Sequence, residues 1–295
     1  MQIIGVDLHA RQQSVSMVET ESGELIEKTL LHEGNQVREF YAGLAGPALV
    51  GLEATGSMLW FLRLLEEFGI DYRVGHPVAI RKAELRKQKH DRRDAALIRR
   101  LLEEDRFPTI WLPSAEQRDL RTLLMHRHHL VRMRTMAKNG LQSLALSQGL
   151  RRGTALWSQA GQQELESLLL AEYATMRREQ LQHMVRDLSE QIQLLNQTVR
   201  EHAERRTVAR RLMSHPGVGP ITALATEVFL GDARRFGDAK AVASYVGMIP
   251  SEYSSGGRQR TGKLSKQGKA MRASRAIGRS SYQETLRLSP RFPSE

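Results

Sequence analysis

The order of apolar runs in the first third of the chain is the feature that most restricts its fold. Five runs have the length and pattern of β-strands, and they occupy residues 3–6, 14–19, 25–31, 48–52 and 72–74. Short polar turns separate the first three, which predicts an antiparallel meander. An amphipathic helix is predicted at 56–68, between the fourth and fifth strands. These segments together predict a single mixed α/β sheet.

Three strands followed by a strand, a helix and a strand is the order found in ribonuclease H-like sheets. In such a sheet the first and fourth strands are neighbours, although they are far apart in the sequence. A further helical segment rich in lysine and arginine follows His76-Pro77. We therefore expect an α/β domain over residues 1–105.

The middle of the chain has a different composition: it is rich in helix formers and poor in glycine and proline over about 115–146 and 162–212. In the second stretch, seven residues follow one another in alternating steps of four and three, which is the seam of a coiled coil. They are Leu181, Val185, Leu188, Ile192, Leu195, Val199 and His202. The seam fits either an antiparallel hairpin with the first helix or a contact between two copies. We predict a helical coiled-coil linker over residues 106–212.

The last part of the chain, residues 213–295, is predicted to be a mostly helical domain. A Pro-Gly-Val-Gly-Pro turn at 216–220 precedes an apolar helix at 221–230, and a second helix is expected near 239–246. The pattern is similar to a helix-hairpin-helix, in which glycines let backbone N–H groups approach a phosphate. A plain turn between two helices is the competing interpretation. The fold class is thus α/β followed by α.

The charge balance indicates a polyanionic partner. Lysine and arginine number 44 against 33 acidic residues, which gives a net charge of +11 and a pI near 10.2. No apolar run approaches the roughly 18 residues that a membrane span requires. Neither a signal-peptide pattern nor a cysteine is present, so we expect no membrane partner and a cytoplasmic, nucleoid-associated protein of bacterial type. Nucleic acid is the leading partner.

Four acidic residues are candidates for a metal site. Asp7 and Glu53 end the first and fourth predicted strands, where their carboxylates would converge at one edge of the sheet. Asp91 and Asp94 are three residues apart in a predicted helix and therefore share one face. Clustered carboxylates suit two magnesium ions about 4 Å apart, which stabilise the attacking and leaving oxygens of a phosphoryl transfer. The ordered set predicts metal-dependent cutting of nucleic acid.

Each acidic residue also has a structural interpretation. Asp7 or Glu53 would serve as a cap, and the two aspartates as partners of nearby arginines. The strand and aspartate at 5–7 are also similar to the first phosphate loop of an actin-like ATPase. That fold requires a glycine- and threonine-rich turn directly afterwards. Because Leu-His-Ala-Arg follows here, we disfavour the ATPase interpretation.

A serine-glycine segment near the C-terminus is the second candidate site. Ser254 and Ser255 precede Gly256-Gly257, and the next acidic residue after this segment is Glu284. The lysines and arginines between Gly257 and Glu284 would hold a phosphate against an exposed serine, which could then form a covalent phosphoserine. A flexible turn beside a basic surface helix is the competing interpretation.

Taken together, these motifs strongly resemble the DEDD transposases of the insertion sequence one-ten family, which are relatives of the Piv DNA invertase. The resemblance rests on the four acids, the Pro-Gly-Val-Gly turn, Gly-Asp-Ala-Arg-Arg-Phe at 231–236, Tyr-Ser-Ser-Gly-Gly at 253–257 and the Lys-Leu-Ser-Lys-Gln-Gly-Lys-Ala-Met-Arg segment at 263–272. It covers nearly the whole chain. It implies a RuvC-like first domain, a helical linker that mediates assembly, and a C-terminal transposase domain.

The resemblance also assigns roles to residues. Asp7, Glu53, Asp91 and Asp94 match the acidic tetrad, which would bind magnesium, with manganese as an alternative. Ser255 matches the nucleophile, with Ser254 as the alternative. Composite sites would form from two protomers of a dimer or a dimer of dimers. A structured bridge RNA would specify the donor and target DNA.

In the mechanism implied by the resemblance, serine attack leaves a phosphoserine link to one DNA end, and a freed hydroxyl completes strand exchange. Nine basic residues are expected to contact DNA or RNA: Arg81, Lys82, Arg86, Lys87, Arg258, Arg260, Lys263, Lys266 and Arg272. Three alternatives stay open: a junction resolvase that forms no covalent intermediate, a non-enzymatic DNA-binding protein, and an RNA-guided invertase with the same chemistry.

Overall fold

The computed structural model describes residues 1–83, 91–247, 250–252 and 261–264, and side chains within 1–83 and 93–247. By their packing these residues form two compact units, with the division between Leu112 and Pro113. The division into three domains at 105 and 212 stays a prediction. Within the described residues, no helix is long and apolar enough to cross a membrane.

The first unit is built on a five-stranded sheet. Its strands are β1 (Gln2–Leu8), β2 (Gln12–Glu19), β3 (Leu25–Leu31), β4 (Ala48–Glu53) and β5 (Asp71–Gly75). Their spatial order is β3-β2-β1-β4-β5. Strand β2 is antiparallel to both neighbours, whereas β1 pairs with β4 and β4 with β5 in parallel. All five predicted strands are present, and β1 and β4 are neighbours as expected.

Four helices accompany this sheet: α1 (Gln36–Ala42), α2 (Leu59–Glu67), α3 (Pro77–Ala83) and α4 (Asp91–Glu103). Helix α2 begins three residues after the start of the predicted helix. Helix α1 was not predicted, because its seven residues are too few for a helical period to stand out. Its Val37 and Tyr41 are nevertheless buried in the core.

The sheet is covered on both faces. Because side chains alternate along a strand, Ile4 and Val6 point to one face and pack with helix α2, where Phe61 and Leu65 are fully buried. Ile3 points to the other face and packs in a smaller cluster with Ile98 of α4. Helices on both faces explain why β1 and β4 are nearly continuous apolar runs.

One buried hydrogen bond crosses the larger core. The side-chain amide of Gln13 on β2 donates to the hydroxyl of Tyr41, with 2.9 Å between Nε2 and the oxygen. Both residues are almost completely buried. Burial raises the pKa of the Tyr41 hydroxyl well above its ordinary value.

The second unit opens with a helical hairpin. Its elements are α5 (Ala115–Ser147), the short α6 (Gln159–Ser167) and α7 (Glu172–Arg205). Helix α5 begins at a capping box formed by Ser114 and Gln117. The predicted heptad seam of α7 packs on α5, because Leu188 and Ile192 are buried against Leu130. The hairpin interpretation of the seam is therefore the one observed within a single chain.

Three further helices follow: α8 (Thr207–Met213), α9 (Pro220–Leu230) and α10 (Ala239–Tyr245). The turn between α8 and α9 needs glycine at position 217, where φ is +82°. Helix α9 is the most buried, and it packs against α5, α7 and α8. Strands β6 (Pro250–Glu252) and β7 (Thr261–Leu264) then pair in antiparallel orientation. Phosphate contact at the turn stays a prediction.

A carboxylate inside this bundle joins three helices. Glu227 of α9 is only 12% exposed and accepts from Arg206 Nε at 2.7 Å and from the Ala209 backbone N–H at 3.0 Å. Arg206 also pairs with Glu116 at the start of α5, where the Glu116 side chain is 68% exposed. The hydrogen bond to Ala209 satisfies one of the backbone donors at the start of α8.

A stacked arginine follows the end of α9. Arg235 donates from Nε to the carbonyl oxygen of Leu230 at 3.0 Å. Its guanidinium carbon lies 4.0 Å from the ring centroid of Phe236 and 4.4 Å from that of Tyr245. Neighbouring Arg234 instead pairs with Asp232 and is 88% exposed. Cation–π stacking thus ties α10 to the end of α9.

Candidate active site

Asp7 and Glu53 occupy equivalent positions on neighbouring parallel strands. The register pairs Gly5 with Gly51 and Val6 with Leu52, so the next residues along the two strands are the two acids. Both carboxylates are partly exposed, at 15% for Asp7 and 24% for Glu53. Side-chain alternation directs both to the face that bears Gly5 and Gly51.

Helix α4 lies on that same face and approaches β1 unusually closely. A Cβ atom added to Gly5 would lie 2.1 Å from the carbonyl oxygen of Ala95 and 2.5 Å from the backbone nitrogen of Arg99. One added to Gly51 would lie 2.6 Å from a methyl of Leu102. The two paired glycines therefore form a shallow groove in the sheet, and α4 is seated in it.

A polar contact also joins α4 to the sheet. Arg99 donates from Nε to the hydroxyl of Ser16 on β2 at 3.0 Å, and its guanidinium pairs with Glu103 one turn later. Ser16 is completely buried and pairs in register with Gly5. The hydrogen bond and the glycine groove together restrict how far α4 can slide along the strands.

The N-terminal end of α4 carries the two remaining acids. The helix begins at Asp91, and Asp94 is a half-buried residue in its first turn, directly before Ala95. The side chain of Asp91 lies outside the described ones. Carboxylates in the first turn are favoured by the helix dipole. The seating of α4 thus brings Asp94 to the face on which Asp7 and Glu53 lie.

Basic side chains lie beside two of the carboxylates. His9 Nε2 is 3.0 Å from Asp7 Oδ2, and an Arg81 terminal nitrogen is 3.9 Å from Glu53 Oε1. Arg81 is 66% exposed, and the next residue, Lys82, is exposed as well. Both of these predicted nucleic-acid contacts are therefore at the surface of the first unit, on α3.

The predicted metal ligands are all carboxylates. Magnesium prefers carboxylate oxygens, and three of the four predicted ligands are carboxylates on one face of the sheet or on the helix seated there. Among the described side chains, which do not include Asp91, no group of three or more histidine, cysteine or acidic residues is close enough to hold a metal ion. The metal site stays a prediction.

Most of the second predicted site lies outside the described residues. Ser254 and Ser255 fall between β6 and β7 in the sequence, at positions that the structure does not describe, and Lys263 is described only as part of the backbone of β7. The predicted basic contacts that lie wholly outside the described residues are Arg86, Lys87, Arg258, Arg260, Lys266 and Arg272. The roles of these residues stay predictions.

Comparison with known proteins gives an independent result. Residues 4–148 match a transposase family model of the DEDD, IS110 type. Residues 209–283 match the model of the transposase IS116/IS110/IS902 family. A probable family 20 transposase from Pseudomonas aeruginosa is 31% identical over 275 residues, which cover 90% of this chain and 79% of that one. The chain belongs to the IS110 family of transposases.

Two further relatives support the assignment of this transposase. The transposase for insertion sequence element IS1328 of Yersinia enterocolitica is 25% identical, over 90% of this chain and 79% of that one. The transposase for IS1111A of Coxiella burnetii is 27% identical, over 75% and 62% respectively. The expectation of an insertion-sequence transposase acting in DNA transposition is therefore confirmed.

Sequence reasoning missed several residues beside the acids of this transposase. His9 lies two positions after Asp7, the spacing at which side chains return to one face of an extended chain, so this contact had a recognisable signal. Gly5 and Gly51 each stand two positions before an acid, and glycine inside a strand signals a close approach. The contact between Arg99 and Ser16 had no sequence signal, since 83 residues separate the partners.

Proposed function

We propose that this transposase cuts and rejoins DNA at specific sites, using four acidic residues that bind magnesium and a serine nucleophile. One observation carries the proposal: Asp7 and Glu53 are in register at the ends of β1 and β4, on the face where α4 is seated. A buried structural acid does not require this arrangement, whereas convergent carboxylates from separate elements suit phosphoryl transfer.

The strand order supports a ribonuclease H-like, RuvC-like fold for the first unit. Three antiparallel strands in the order β3-β2-β1 continue into two parallel strands, β4 and β5. In this arrangement the helix bearing Asp94 crosses the sheet over the central strands β1 and β4. The acids would then lie at one edge of the sheet, where a DNA strand has access to them.

In the proposed chemistry, Asp7, Glu53, Asp91 and Asp94 would hold the metal. Bound magnesium would supply Lewis acidity that offsets the negative charge on the phosphate oxygens. Arg81, which is exposed beside Glu53, would contact the same phosphate group or its neighbour. The basic side chain would orient the DNA strand, and the carboxylates would set the position of the scissile phosphate relative to the sheet.

The serine step forms one bond and breaks one. The Ser255 oxygen, or that of Ser254, forms a bond to phosphorus as the bond from phosphorus to a deoxyribose oxygen breaks. The serine proton leaves, and the departing oxygen takes up a proton to become a free hydroxyl. That hydroxyl then attacks a second phosphoserine, which restores the serine and joins new DNA ends. The energy of the phosphodiester bond is kept in the covalent intermediate.

A structured bridge RNA would select the donor and target DNA. The net charge of +11 supports binding of more than one polyanion. The basic residues after β6 and around α3 would divide between DNA and RNA. The test is to add RNA to a cutting reaction that lacks it. We expect RNA from the element's flanking region to restore cutting at the cognate site, and a scrambled RNA of equal length to have no effect.

The first experiment follows the covalent intermediate. Protein, flanking RNA and end-labelled DNA are incubated with magnesium, and a denaturing gel resolves any protein–DNA adduct. We expect an adduct with the wild type and none with Ser255→Ala or Asp91→Asn. Asp105→Asn is the matched control, because it also neutralises one acid of the first unit, yet its carboxylate is 87% exposed and pairs only with Arg73 among described residues. The control should form the adduct normally.

Other outcomes would redirect the proposal. If Ser255→Ala forms the adduct and Ser254→Ala does not, the nucleophile is Ser254. If the wild type cuts DNA without an adduct and both serine variants cut equally well, the enzyme is a metal-dependent nuclease and the serine assignment is wrong. If cutting continues unchanged with Asp91→Asn, Asp91 is not a catalytic ligand and the four-acid assignment is wrong.

A further inference from the structure

All of helix α5 after its first turns lies in a long stretch of chain without any acidic residue. No aspartate or glutamate occurs between Asp119 and Glu164, whereas seven lysines and arginines do. Opposite charges three or four residues apart on a helix stabilise each other, and a helix face that carries cations alone lacks that stabilisation. The excess positive charge therefore needs a reason beyond the stability of the helix.

Three of these cations share one side of the hairpin. Arg127, Arg134 and Lys138 are seven and four residues apart, which places them within about 40° of one another around α5 and spreads them over about 16 Å of its length. We call these three residues the cationic flank. Each is partly exposed.

Neutral groups hold the cationic flank in place. Arg127 donates from Nε to the side-chain oxygen of Asn196 at 2.6 Å, and Arg134 donates to the Ser189 hydroxyl at 3.4 Å. The Lys138 ammonium lies 4.4 Å from the ring centroid of Trp157. These contacts order the stems of the side chains, and none of them supplies a negative charge.

None of the three pairs with a carboxylate of a described residue. Burial lowers the pKa values of both Arg127 and Lys138, and the positive charge of Arg134 lowers them further, because like charges repel each other. Keeping like charges together costs free energy in the free protein. A partner with a regular row of negative charges would remove that cost.

The opposite side of the hairpin has different chemistry. Met133, Met136 and Met184 are exposed there and line a groove of about 360 Å³ together with Gly140, Leu181 and one cation, Arg177. The groove is therefore mostly apolar, whereas the cationic flank presents three cations in a row. A polyanion would favour the side that carries the row of cations.

We propose that the cationic flank binds the phosphodiester backbone of double-stranded nucleic acid. A duplex carries one negative charge per about 1.7 Å of its axis, so a 16 Å row of cations faces several phosphates. The terminal nitrogens of Arg127, and the Arg134 terminal nitrogen that does not contact Ser189, would donate to phosphate oxygens. The contact positions a duplex along the hairpin and reads no sequence. This proposal rests on the proposed function only for the kind of partner, a nucleic acid, because no residue of α5 takes part in the proposed chemistry.

The test measures binding of the full chain to DNA and RNA duplexes of one length, in chelator and without cutting, over a series of salt concentrations. The variants are Arg134→Gln and the triple change Arg127→Gln, Arg134→Gln, Lys138→Gln. Arg132→Gln is the matched control, because it removes the same charge from an exposed position about 200° around the helix from Arg134. Circular dichroism follows the helical content of each variant.

We expect Arg134→Gln to reduce the slope of log K against log salt by about 1 and the triple variant to reduce it by about 2 to 3, with little change for Arg132→Gln. A loss with both duplexes means a contact common to both backbones, and a loss with one assigns the contact to that nucleic acid. Unchanged slopes, or equal losses at Arg132 and Arg134, would overturn the proposal.

A charge-retaining variant separates binding from folding. Arg127→Lys, Arg134→Lys, Lys138→Arg keeps three cations, so it should keep the wild-type slope even if its side chains pack less well. If it loses as much binding as the glutamine variant, the flank is structural and the proposal fails. Failure of the proposed chemistry would have a different signature, namely normal salt slopes here and no adduct on the gel.

Discussion

Replacing Gly5 by alanine tests whether the seating of α4 controls the active site. The new Cβ would lie 2.1 Å from the Ala95 carbonyl oxygen and 2.5 Å from the Arg99 nitrogen, both of which are backbone atoms of the helix. Ordinary contact begins near 3.4 Å, so α4 must move away from β1 by about 1.3 Å. No side-chain rotation can relieve the clash.

That displacement would act on both stability and activity. Overpacking of this kind costs about 1–3 kcal/mol of unfolding free energy. The movement also carries Asp94 away from Asp7 and Glu53, and misplacement of reacting groups by about 1 Å lowers rates about 100-fold. We therefore expect Gly5→Ala to lower the rate of adduct formation by about 100-fold at a temperature where the variant is still folded.

Two glycine variants in the same unit serve as controls. In Gly51→Ala the added methyl meets side-chain ends, at 2.6 Å from Leu102 and 3.0 Å from Ile98, and these can rotate. Its effect should therefore be smaller. Gly46→Ala meets no atom within 4 Å and should behave as the wild type. Thermal unfolding and single-turnover adduct formation would be measured for all three. Wild-type activity of Gly5→Ala, or an equal loss in Gly51→Ala, would refute the reasoning.

Three further predictions concern stability and are checked by chemical denaturation. Glu227→Ala should lower the unfolding free energy by about 2–3 kcal/mol, because the largely buried Arg206 and the N-terminus of α8 lose their acceptor. Glu116→Ala, at the exposed end of the same network, should cost less than about 1 kcal/mol. Tyr41→Phe should cost about 1–2 kcal/mol, because a buried amide loses its acceptor. Since the pKa of Tyr41 is raised in the folded state, its hydroxyl ionises first in the unfolded chain, so wild-type stability should fall above about pH 10, and less steeply in Tyr41→Phe. Arg235→Gln should cost about 1–2 kcal/mol through lost ring stacking, and Arg234→Gln, which is exposed, should change little.

The strands and long helices were predictable from sequence because their signals are local. The runs at 25–31 and 48–52 alternate or fill with apolar residues over a whole strand, and β3 has the predicted bounds. Helix α1 was missed because its seven residues are too few for a helical period to stand out. The serine at 254 or 255 was chosen by its neighbours in sequence, and that choice stays a prediction.

By itself, the amino-acid sequence determined the order of the first five strands and the long helices, the heptad seam of α7 and the positions of the four acids along the chain. Each depends on periodicity or on residue type within a few positions. Only the tertiary structure decided that the seam packs on α5, that α4 is seated over Gly5 and Gly51, and that Arg127, Arg134 and Lys138 meet neutral groups of other elements and no carboxylate of a described residue. These features join residues that are far apart in the chain. A glycine inside a strand signals a close approach, but neither it nor any other single residue specifies which element approaches.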